Sequence, residues 1–237
     1  MTDFPKPRSQ LYSSRKRPSK TPDITLPPLH TKAKEWTDIR RILCVDESLN
    51  DSGAALFIDG KYQPVLTEEG LSIGLALTVS PNWTQQRRCV AYGQWVSDMI
   101  DEYGVEVVIG ESHPFARGKQ NASIATIEAI AGIRWITMFI CGQRGVLYTE
   151  FSTNHVKLIM CGSSTASKEA VQMILKATEI ELPVYRSKPD IINGNVCDAI
   201  AIGEVVSRMV KQEIIRKKYA PEVGGGRSQT KNRTSSK

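Results

Sequence analysis

Ile42-Leu43-Cys44-Val45-Asp46 is an apolar run suited to a buried strand, and it ends in a carboxylic acid. A lone ionised carboxylate in such a place costs several kcal/mol, so something cationic is expected beside Asp46. The arrangement recurs at Val107-Val108-Ile109-Gly110-Glu111, where a second acid ends a β-branched run. It recurs again where Asp198 is embedded in Val196-Cys197-Asp198-Ala199-Ile200-Ala201-Ile202. Three carboxylates in three core-forming segments point to one shared site for divalent metal, because hard cations take oxygen ligands.

The chain has 237 residues, 41% of them hydrophobic, enough for one substantial core with tails. Its formal charge of +6 is unevenly placed. Residues 1–41 carry ten Lys/Arg against four Asp/Glu and residues 211–237 carry eight against two, leaving 13 basic and 19 acidic residues between them. An acidic body between basic arms fits a polyanion-binding protein whose core loads metal, although solubilising tails have the same composition. The five cysteines are widely spaced with no C-x-x-C pair, and read as reduced core thiols of a cytoplasmic protein. The three histidines are too scattered to build a zinc site with them. There is no apolar signal region at the N-terminus, and Ile124 to Cys141 contains Glu128 and Arg134, so no membrane span is expected.

Residues 1–38 mix Pro, Ser, Lys and Arg without periodicity and are expected to be a disordered basic tail; 220–237, opening near Gly224-Gly225-Gly226, form a second. The domain between them, 39–219, begins with strands at 42–46, 53–58 and 71–79, with Asp59-Gly60 as a hairpin turn. A helix capped by Ser80-Pro81 and ending at Gly104 leads to a central strand at 105–109. A long helix from Ala122 to Cys141, a fifth strand at 146–151, short helices after Ser152 and Ser167, a Pro-containing connection from 182 to 193 and a last helix from Asn195 to Tyr219 complete the order. The four tryptophans read as core or helix-face aromatics.

With its acids in this order the chain resembles the RuvC family of Holliday junction resolvases, within the ribonuclease-H-like nucleases. The resemblance rests on Ile42 to Leu49 followed by Gly53 to Ile58, on Val108-Ile109-Gly110-Glu111 with a helix entered through Asn121-Ala122, and on Lys157 and Lys168 spaced by a small-residue loop. Asn195 to Ile202 supplies the last motif. It implies an α/β ribonuclease-H-like fold, with a five-stranded mixed sheet flanked by helices. It also implies catalytic residues Asp46, Glu111, Asp198 and Lys168, and DNA contacts by Lys157, Lys168 and Phe115, the last at the approximate place of an aromatic wedge. One position departs from the pattern: the family's first acid on the final helix is here Asn195. Asn195 and Asp198 still share a helix face, and an amide oxygen can ligate Mg²⁺.

The expected cofactor is therefore Mg²⁺, two ions per site about 4 Å apart, with Mn²⁺ able to substitute. Asp46 would bridge the ions, with Glu111 on one side and Asp198 with Asn195 on the other. The implied function is a structure-selective endodeoxyribonuclease that resolves four-way DNA junctions by paired symmetric nicks, in recombination and repair. Two symmetric nicks need two sites, hence a homodimer through the helix after Glu111, where Ile136, Met138, Phe139 and Ile140 extend the apolar side. The tails leave room for a recruiting motor or replication protein. Two alternatives remain: a nuclease of this fold on other branched or RNA-containing substrates, and a non-catalytic DNA-binding scaffold, which Asn195 favours.

Overall fold

The computed structural model describes residues 35–112 and 124–219. A 3₁₀ turn, Trp36–Asp38, buries Trp36 against the core within the segment expected as tail. The strands are β1 (Arg41–Asp46), β2 (Asp51–Ile58), β3 (Lys61–Gln63), β4 (Leu75–Thr78), β5 (Val107–Ser112), β6 (Leu147–Ser152), β7 (Val184–Tyr185) and β8 (Lys188–Ile192). The helices are α1 (Gln85–Tyr103), α2 (Ile124–Arg144), α3 (Thr153–Cys161), α4 (Lys168–Ala177) and α5 (Gly194–Tyr219).

The mixed sheet runs β3-β2-β1-β5-β6, with β4 also pairing β2, so it has six strands rather than the expected five. The extra strand is β3. Asp59 and Gly60 both take positive φ, the backbone of a two-residue turn whose twist suits a hairpin, and the chain returns at once along β2. β1 is antiparallel to β2 and parallel to β5, which is parallel to β6. β1 is thus the middle strand, covered on both faces, which explains its lack of polar alternation.

Residue parity along the strands sorts the chain into two cores. Ile42 and Cys44 of β1, Ala55 and Phe57 of β2, and Val107 and Ile109 of β5 pack with α5, while Leu43, Val45, Ala54, Leu56 and Val108 pack with α1 and α2. Each fully buried aliphatic or aromatic side chain here is worth about 1.5–3 kcal/mol. The final helix lies close on the sheet because two glycines leave it room. A Cβ on Gly203 would stand 1.9 Å from the Phe57 ring, and one on Gly53 would stand 2.4 Å from the backbone of Asn195 and Val196.

Two expected boundaries move. The helix expected from Ser80-Pro81 begins at Gln85, because Thr84 caps it by accepting from Arg87 N while Ser80 closes a turn to Trp83 instead. The connection from 182 to 193 folds into the β7–β8 hairpin, joined to the domain through Val184 N to Ser72 O and closed at its base by Asn193 N to Pro183 O. Gly104 ends α1 in the left-handed conformation and Ser167 caps α4, both as expected. Among the described residues no helix is long and apolar enough to cross a membrane. All five cysteines are free, Cys44, Cys141 and Cys197 being buried.

Candidate active site

Asp46, 9% exposed, ends β1 on the parity that faces α5. Its register partner on β2 is Gly53, the residue over which the first turn of α5 docks. The glycine therefore lets α5 bring Asp198, four residues into the helix, to the end of β1. Glu111 has the parity of Val107 and Ile109 on β5 and so reaches the same side.

The three acids meet electrostatically. Burial first, then the charge of Glu111, a hydrogen bond with Glu111 and the charge of Asp198, raise the Asp46 carboxyl well above its ordinary value, with Lys168 opposing. Asp198 is also raised, by burial, against the hydrogen bond and charge of Lys168. Lys168 Nζ lies 2.6 Å from Asp198 Oδ2. Partial burial pulls the Lys168 ammonium down, but Asp198, Asp46 and Glu111 together outweigh it and hold it above its usual value. Lys157 on α3 is near enough for its charge to lower Asp198. Thr153, the first residue of α3, donates its hydroxyl to Glu111 Oε1. The cation expected beside Asp46 is thus Lys168, set by the Ser167 cap at the first turn of α4.

Among the described residues, no three His, Cys, Asp or Glu side chains stand together as a ready-made metal cage. The donor set nevertheless fits a hard divalent cation. Asp46, which shares a hydrogen bond with Glu111, and Asp198 are both pushed toward the neutral form for want of positive charge, and all three acids offer oxygen. Asp46, Glu111 and Asp198 would hold such an ion. Asn195 stands on the first turn of α5, where its Nδ2 donates to Asp51 O at 2.7 Å, an orientation in which the amide oxygen would be the ligating atom. Phe115 lies outside the described residues.

Several residues of the site's surroundings were not foreseen. Thr153, at the strand-to-helix junction, reads from the sequence only as one of two candidate caps, with Ser152, for the short helix there. Asp51 accepts from Thr78 Oγ1 at 2.9 Å and from Tyr185 OH at 2.8 Å, tying β2, β4 and the β7–β8 hairpin together beside Asn195. Glu47 follows Asp46 and, by parity, enters the opposite core. There Thr137 Oγ1 donates to its Oε1 at 2.8 Å, and its Oε2 is buried without a partner. Two acids in succession at the end of an apolar strand were the available signal, since one of them must face each side.

The outer side of α2 also differs from expectation. Ile140 is buried and Ile136 packs against the α1–α2 core, so neither belongs to an external apolar side. Met138 and Phe139 of the expected set do form it, joined by Trp135, a helix-face aromatic; Trp135 and Phe139 are each 64% exposed.

No protein-family model matches the chain. A crossover junction endodeoxyribonuclease RuvC from Thermomicrobium roseum is 27% identical over 152 residues, 64% of this chain and 86% of that protein. Among solved structures, Thermus thermophilus RuvC matches with TM-score 0.51 at 16% identity, over 73% of this chain and 96% of that one. The same protein in complex with a Holliday junction substrate matches with TM-score 0.53 at 14% identity, over 74% and 96%. The yeast mitochondrial Holliday junction resolvase matches with TM-score 0.51 at 9% identity, over 76% and 83%. In sequence the chain is similar to a RuvC protein, and its fold is similar to those of the solved Holliday junction resolvases.

Proposed function

We propose that the protein is a metal-dependent endonuclease that resolves four-way DNA junctions by paired symmetric nicks. The observation that carries the reading is the convergence of Asp46, Glu111 and Asp198, from three separate elements, around the ammonium of Lys168. Divalent Mg²⁺ or Mn²⁺, two ions to a site, would supply water activation and neutralisation of the leaving oxygen. The chain's own residues supply the rest. Thr153 orients Glu111, and the Gly53 contact sets Asp198 against β1. Lys168, half-exposed and charged, faces the phosphate of an incoming strand, and Lys157 beside it takes a flanking phosphate. The similarity to a crossover junction endodeoxyribonuclease supports the substrate class.

A homodimer follows from the need for two cuts, and the exposed Trp135, Met138 and Phe139 on α2 form its contact. The basic segments 1–34 and 220–237 add phosphate attraction and leave room for a recruiting protein. The protein acts inside the cell, on branched DNA.

The test is an immobile synthetic junction incubated with the protein in Mg²⁺ or in EDTA. We expect symmetric nicks in Mg²⁺ only. Asp46→Asn should cut their rate by more than the roughly 100-fold that changes outside the ligand shell cost, with junction affinity kept. The second reading is a binding protein without catalysis, favoured by the neutral Asn195, and junction binding without nicks in either Mg²⁺ or Mn²⁺ would establish it. Flap, linear duplex and RNA–DNA hybrid beside the junction separate a nuclease of other specificity.

A further inference from the structure

A cleft of about 370 Å³ opens between β4 and the β7–β8 hairpin, beside the acids. Ile73, Ala76 and Val184 give it apolar walls, Tyr185 an aromatic one, and Arg186 stands exposed on the hairpin turn. Asn193 also lines it, 1% exposed. The orientation of this amide is determined by the helix it caps, since Asn193 Oδ1 accepts from Asn195 N at 3.2 Å and Val196 N at 3.3 Å. Its Nδ2 is therefore a committed donor, and it is buried with no hydrogen-bond partner. Leaving such a donor unmatched is costly, and an acceptor brought by a ligand would recover that cost.

We propose that this cleft takes one unstacked nucleobase of the substrate strand, with an acceptor atom of the base on Asn193 Nδ2 and its ring against Tyr185. The inference rests on the nuclease reading above and adds a base-reading subsite to it. A nucleobase fits better than a phosphate. Among the described residues the only cation lining the cleft is Arg186, the buried donor is neutral, and the Asp51 carboxylate stands behind Thr78 and Tyr185, where it would repel an anion. The volume falls at the small end of the roughly 300–1,000 Å³ of small-molecule sites, which suits a single base with its sugar. Placement also fits. Asn193 precedes Asp198 by five residues, about 7.5 Å along a helix axis, a separation on the scale of one to two nucleotides. Tyr185 and Asn195 both bond Asp51, so the cleft wall and the first turn of α5 are held by one residue.

The test uses the full chain and junctions in which each nucleotide within four of the crossover is replaced in turn by an abasic residue, with affinity measured in EDTA. One position is expected to cost about tenfold. Asn193→Asp and Asn193→Ser both retain an oxygen to cap α5 and both lose the amide donor; they differ in charge, so an effect they share belongs to the lost donor. Both should bind the abasic and intact junctions equally, with an unchanged thermal midpoint. The cleft assignment is overturned if no abasic position costs more than twofold, if both variants keep the wild-type profile, or if a methylphosphonate at that step weakens binding where the abasic residue does not. The nicking assay stands apart: nicks in Mg²⁺ with a flat abasic profile remove only the cleft, whereas a tenfold position without nicks removes only the nuclease.

Discussion

Asp46 and Glu47 are neighbours in the chain, yet they answer to different surroundings, because successive residues of a strand face opposite sides. Glu47 is 4% exposed among Tyr92, Thr137 and Tyr148, and burial pushes its carboxyl up to about 7, against the hydrogen bond from Thr137 and the charge of Arg134. In the unfolded chain it titrates near 4.5. Between those values the folded protein binds more protons than the unfolded one, so stability falls as pH rises from about 4.5 to about 7 and stays low above it. The full effect is about 3 kcal/mol. In EDTA, Glu47→Gln should gain stability relative to wild type on going from pH 5 to pH 8, read from urea midpoints at the two values. Equal pH slopes for the two proteins would show that Glu47 does not titrate in this way.

Lys168 is the residue whose role was least legible from its type, since most lysines are solvated. Its ion pair with Asp198 gives a definite expectation. Lys168→Met removes the group that lowers Asp198, so Asp198 should require a higher pH to ionise. The acid limb of the nicking rate should then move to higher pH, in addition to a fall in rate. A fall in rate with an unmoved limb would mean that Lys168 touches DNA but does not tune the acid.

At the scale of elements, α5 is held to the sheet by what the strands lack. Gly53 has no side chain where the backbone of Asn195 and Val196 crosses β2, and a methyl there must displace the helix. Gly53→Ala should cost about 1–3 kcal/mol in denaturant unfolding and lower nicking further than the lost stability explains, because Asp198 moves with the helix. A variant that lost stability while keeping the wild-type rate would separate helix docking from the site. Most strands were readable, since β1, β2 and β5 are largely apolar runs bounded by turn residues. The β7–β8 hairpin was not, because its exposed β8, Lys-Pro-Asp-Ile-Ile, shows neither burial nor alternation, and its pairing is only to β7.

At the scale of the whole molecule, the exposed aromatics of α2 are the feature a monomer does not explain. Trp135 and Phe139 lie on the side of α2 away from Ile133, Thr137 and Ile140, so changing them leaves the α1–α2 core intact. Sedimentation should show wild type at twice the chain mass and the Trp135→Glu, Phe139→Glu double variant at the chain mass, with an unchanged thermal midpoint. The variant should also nick the two strands of a junction independently. A wild-type monomer that cuts both strands together would remove the dimer from the proposal.

The residue types and their order along the chain were enough to determine a layered α/β domain, and to mark Asp46, Glu111 and Asp198 as acids that needed a partner. Burial is expensive for charge, and a carboxylate ending an apolar run announces that expense locally. Which groups meet is a different matter. That Lys168 answers Asp198, that Thr153 holds Glu111, that Gly53 admits α5, and that Asn193 is left with an unmatched donor beside the acids all depend on the mutual placement of segments far apart in the chain. Long-range contacts set those distances, and no local pattern records them.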